Sequence, residues 1–125
     1  MKVLFVGDKP SRLNLDPDVA FIGTPSYRNL CKWVAKMQIA DFFMVNSNDR
    51  LLLYPAVSEC HRNNGRVVAL GNLASQRLTE AGIKHFKLPH PSPANRQLND
   101  AYFIDQKLYE CYCYLKEQFY VHHMR

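Results

Sequence analysis

The chain has 125 residues, is 47% hydrophobic, and carries a formal net charge of +5 from 16 Lys and Arg against 11 Asp and Glu. That composition excludes a disordered chain, and the length suits one domain with a modest core. The positive balance favours a polyanionic partner such as nucleic acid, although no Lys/Arg run is dense enough to act as a basic tail.

Val3 to Val6 is a continuous apolar run closed by Gly7, the pattern of a strand covered on both faces. Asp8-Lys9-Pro10-Ser11 follows as a loop, and the stretch through Pro17 is polar and turn-rich. Val19 to Ile22 fits either a short strand or a loop that packs one ring inward. Pro25 to Met37 predicts a helix, with Ser26 as its cap and Leu30, Trp33, Val34 and Met37 on one face. Phe42 to Val45 is a second strand, ended by Asn46-Ser47-Asn48-Asp49. Pro55 suits the first turn of a short helix carrying Val57 and Cys60, and Asn63-Asn64-Gly65 is a turn.

Val67 to Leu70 is a third strand, closed by Gly71. Asn72 then caps a helix over Leu73, Leu78 and Ala81, which Gly82 ends. Ile83 to Leu88 is the fourth strand, and Pro89-His90-Pro91-Ser92-Pro93 forms a stiff loop beyond it. A last helix begins near Asn99 or Asp100 and aligns Ile104, Leu108, Cys111 or Tyr112, Leu115 and Phe119. The tail from Val121 is expected to fray.

Strands and helices alternate with short connections. This predicts a three-layer α/β/α fold with a mostly parallel four-stranded sheet, the whole of residues 1–125 forming one domain. Ligands in such sheets bind beyond the carboxyl ends of the strands, where Asp8, Asn46 and His90 follow three separate runs. Asn46 can alternatively cap the segment after it, and Asp8 can serve a turn. The cysteines Cys31, Cys60, Cys111 and Cys113 form no Cys-x-x-Cys pair, so the expectation is free thiols and no metal site. No stretch is long enough to span a membrane and the apolar start is too short for a secretory signal, so the expected location is cytoplasmic.

The ordered loops resemble those of the uracil-DNA glycosylase superfamily, particularly its compact bacterial and archaeal branches. Gly7-Asp8-Lys9-Pro10-Ser11 is similar to the family's Gly-acid-x-Pro-Gly loop, with Lys9 and Ser11 standing where the family has small residues. Ala20-Phe21-Ile22-Gly23, Asn46, Ala69-Leu70-Gly71-Asn72-Leu73-Ala74 and His90-Pro91-Ser92 follow in the family's order. The resemblance implies a glycosylase that hydrolyses the N-glycosidic bond of uracil, or a related damaged base, in DNA. Asp8 would stabilise the sugar cation and orient water, and His90 would donate a hydrogen bond to uracil O2. Asn46 would pair with the base edge and Phe21 would stack on the flipped base. Ser92, Lys9 and Arg96, with Arg12 and Arg28 nearby, would contact phosphates.

The cysteines do not fall where the iron–sulfur ligands of some members lie, so no cofactor is expected. Two other functions fit the same loops: a nucleic-acid-binding member without catalysis, and an enzyme acting on nucleotides or nucleosides. The tyrosines of the last helix suit packing on the sheet, a homo-oligomer contact or a protein partner.

Overall fold

The computed structural model describes residues 2–8 and 24–124, with 118–124 as backbone only. Its elements are β1 (Val3–Gly7), α1 (Pro25–Lys36), β2 (Phe42–Asn46), α2 (Arg50–Arg62), β3 (Arg66–Leu70), α3 (Asn72–Glu80), β4 (Phe86–Leu88), a short 3-10 turn (Arg96–Asn99) and α4 (Ala101–Met124). The four strands pair in parallel in the order β2-β1-β3-β4. The expected α/β class is therefore observed, with every strand parallel.

Side chains alternate across the sheet, and each face meets a pair of helices. Val3, Phe5, Val68, Leu70 and Leu88 pack against Leu30, Trp33 and Val34 of α1 and Ile104, Leu108, Cys111 and Leu115 of α4. Leu4, Val6, Val67 and Ala69 pack on the other face against Leu53, Val57 and Cys60 of α2 and Ala74 and Leu78 of α3. Covering both faces explains why β1 and β3 are apolar at nearly every position. The edge strand β4 differs: Lys87 is exposed and donates to Asn72 Oδ1 at 3.1 Å. A charged, three-residue edge resists pairing with another chain.

Several boundaries depart from the expected ones. Thr24, not Ser26, caps α1, and Pro25 occupies its first turn. The second helix begins at Arg50 because Asp49 Oδ1 accepts from Leu51 N and Leu52 N. Pro55 therefore lies inside α2, where its missing N–H leaves a gap in the helical ladder. Gly71, not Asn72, is the N-cap residue of α3, and Leu73 points to solvent while Ala74 is buried. The fourth strand is shorter than Ile83 to Leu88. The helix backbone of α4 continues to Met124, beyond the expected fraying point. The possible strand at Val19–Ile22 lies outside the described residues.

Candidate functional site

From β1 the chain moves outward to β2, then crosses to β3 on the opposite side of β1. Such a reversal opens a crevice above the carboxyl ends of β1 and β3. Four loops meet there. Gly7 is in register with Asn46, Ser47 N donates to Gly7 O at 2.8 Å, and Asn48 N donates to Asp8 O at 3.1 Å. On the other side Gly71 N donates to Leu88 O at 2.8 Å, which continues the β3–β4 ladder into the proline loop.

Asp8 is fixed by a residue the sequence reading did not name. Arg77 Nη1, on α3, donates to Asp8 Oδ1 at 2.7 Å, Asp8 O at 3.1 Å and Ser47 Oγ at 3.0 Å. Arg77 reaches across because α3 covers the sheet face toward which Asp8 turns. The carboxylate is thus held as an oriented anion, with part of its charge offset by the guanidinium.

His90 is held by its own loop. Its Nδ1 accepts from Ser92 N at 3.1 Å, its carbonyl accepts from Asn95 Nδ2 at 2.9 Å, and Asn29 of α1 donates to Pro91 O at 2.8 Å. With Nδ1 an acceptor, the neutral ring carries its proton on Nε2. Among the described residues Nε2 has no partner, so it is available as a donor. Burial lowers the His90 pKa from 6.5, and the Asp8 charge opposes that shift. The two side chains therefore share one electrostatic environment across the end of β3.

Gly71 makes room for the histidine. Its φ is +94°, and a Cβ there would lie 3.1 Å from His90 Cβ and 3.2 Å from His90 Cδ2. A side chain at this position would be both strained and in the way of the ring.

Asn46 is only 5% exposed, and its Oδ1 is buried with no hydrogen-bond partner among the described residues. It does not cap α2, since the Asp49 side chain does so. A buried acceptor left unpaired costs about 1–3 kcal/mol, which favours a donor at this atom once the side chain turns to meet one.

The phosphate-contact candidates are less concentrated. Ser92 Oγ accepts from Ala94 N at 3.2 Å, which makes it a turn-forming residue whose own hydroxyl proton is not used in that bond. Arg96 and Arg28 are exposed. Lys9, Arg12 and Phe21 lie outside the described residues. Beside His90 a cleft of about 460 Å³ is lined by Gly71, Lys87, Asn95, Gln97, Phe103 and Lys107, among others. Lys87 and Lys107 were missed as rim cations; the first sits in a three-residue strand and the second in a helix read for its apolar face.

The four cysteines are unpaired, and among the described residues no group of three His, Cys, Asp or Glu is placed to hold a metal ion. No described helix is long and apolar enough to cross a membrane. No family model, curated protein or solved structure matches the chain.

Proposed function

We propose that the protein hydrolyses the N-glycosidic bond of uracil, or of a related damaged base, in DNA. The observation that carries this reading is the buried Asn46 Oδ1, unpartnered among the described residues, at the same carboxyl end of the sheet as a fixed carboxylate and an imidazole donor. An acceptor of that kind matches the N3–H of uracil, and the asparagine NH2 matches O4.

In the reaction the bond between C1′ and the base nitrogen breaks, and the base leaves with the electron pair. Water adds its hydroxyl to C1′, and its proton goes finally to the base. His90 Nε2–H stabilises the negative charge that grows on O2 of the leaving base, and a neutral ring is a sufficient donor. Asp8 stabilises the positive sugar and orients the water. Arg77 keeps the carboxylate in place but also reduces its field at the sugar. Lys87 and Lys107 supply cations beside His90 for the phosphate backbone, in a cleft whose described lining includes neither Asp8 nor Asn46.

The test uses oligonucleotides with one uracil, single-stranded and duplexed, followed by alkaline cleavage of abasic sites. Strand cleavage at uracil and not at thymine supports the proposal; an intact strand after incubation with excess protein contradicts it. The Arg77–Asp8 pair favours a second reading, DNA binding without cleavage. For that reading the intact strand would be accompanied by salt-dependent binding.

A further inference from the structure

A second cationic site lies at the opposite end of the sheet. Arg66 is the first residue of β3, about 13 Å along the strand from Leu70 and the crevice above it. The residue is 9% exposed, and its Nε is buried with no hydrogen-bond partner among the described residues. Among the described residues it has no ion-pair partner within 4 Å. The guanidinium packs over the Tyr114 ring, 5.0 Å from the centroid, and that ring leans on Phe86 at 5.6 Å. Lys84 Nζ approaches the same ring at 6.0 Å. A cavity of about 410 Å³ opens at this point, lined by His61, Gly65, Arg66, Lys84, Tyr114 and Glu117, among others.

Arginine stays charged in proteins, so burial does not neutralise it. A buried charge needs compensation, and a ring face supplies only part of it. The neighbouring thiol and backbone are matched: Cys60 Sγ donates to Arg66 O at 3.4 Å, and Arg66 N donates to Lys2 O at 3.2 Å. The guanidinium lines the cavity, with the Tyr114 side chain as its neighbour. An arginine, a lysine and a phenol around one cavity suit an anion, and Glu117, which also lines it, is exposed. The cavity falls in the size range of small-molecule sites and is larger than a free phosphate needs.

We propose that this cavity binds the phosphate group of a small phosphate monoester, with Arg66 as the fixed cation and Lys84 as the second. The Arg66 guanidinium supplies a fixed charge at the cavity wall, and Tyr114 holds the guanidinium plane in position. This site is separate from the crevice of Asp8 and His90 and does not depend on the activity proposed there.

Thermal unfolding of the whole chain tests it, with glycerol phosphate or inorganic phosphate titrated against chloride at matched ionic strength. A saturable rise in Tm with either phosphate is expected, and the tighter of the two identifies the source. Lys84→Ala, at an exposed position, should weaken binding about fivefold. Arg66→Met, checked for its fold by circular dichroism, should abolish the rise. Asp8→Asn should leave the affinity unchanged. A rise that is absent, that grows without saturating, or that persists undiminished in Lys84→Ala overturns the proposal.

Discussion

His90 and Asp8 report on one another through their charges. Burial sets the His90 pKa below 6.5 and Asp8 pulls it back up. An NMR titration of the His90 ring should therefore give a midpoint below 6.5, lower still in Asp8→Asn and higher in Arg77→Gln, where the carboxylate loses its screening cation. The sign for stability follows. The unfolded histidine takes up its proton first, so folding stability falls as the pH drops below 6.5 and is unaffected by this group above it. Arg77→Gln should also cost about 1 kcal/mol in denaturant unfolding, since the pair is partly exposed. The positions of Asp8, Asn46 and His90 at strand ends were legible because each follows a readable strand segment, apolar before the first two and mixed before His90. Arg77 was not, because its partner is 69 residues away and nothing local marks it.

At the scale of elements, the turn from β3 into α3 sets both the helix start and the space for the imidazole. Gly71→Ala should destabilise by about 1–3 kcal/mol in thermal unfolding and shift the His90 ring resonances, because the positive φ and the contact with the ring act together. The register of α4 gives another check. Cys111 is buried and its thiol is pushed up to about 12, while Cys113 is exposed. A maleimide should label Cys113 in seconds to minutes and leave Cys111 unlabelled until the protein unfolds; equal labelling would place the helix in the wrong rotation. The strands were readable from composition because both faces of the sheet are covered. The start of α2 was not, since Leu51 and Leu52 are exposed and break the helical pattern, and Asp49 reads in sequence as the end of a polar loop rather than as a cap.

For the whole molecule, alternation of elements sufficed for the parallel α/β class, but not for which polar groups would meet above the sheet. The crevice depends on the β2-β1-β3-β4 order, which no local pattern contains. The charge of +5 is distributed so that Lys87 and Lys107 lie by the His90 cleft and Arg66 and Lys84 lie at the far end. Lys87→Ala should lower the dependence of DNA affinity on log salt by about one unit of slope, measured by fluorescence anisotropy. Lys84→Ala should not. The exposed tyrosines Tyr102 and Tyr109 lie on α4, away from its buried stripe. The central claim is that His90 and Asp8 act on a base read by Asn46. The measurement that tests it most directly is the single-turnover rate of uracil release from a single-stranded oligonucleotide, for the unaltered protein beside Asp8→Asn, His90→Ala and Asn46→Ala. Release by the unaltered protein, slowed about 100- to 1,000-fold in His90→Ala and substantially in the other two, is the predicted result. Release that proceeds at the same rate in all four proteins, or in none of them, would contradict it.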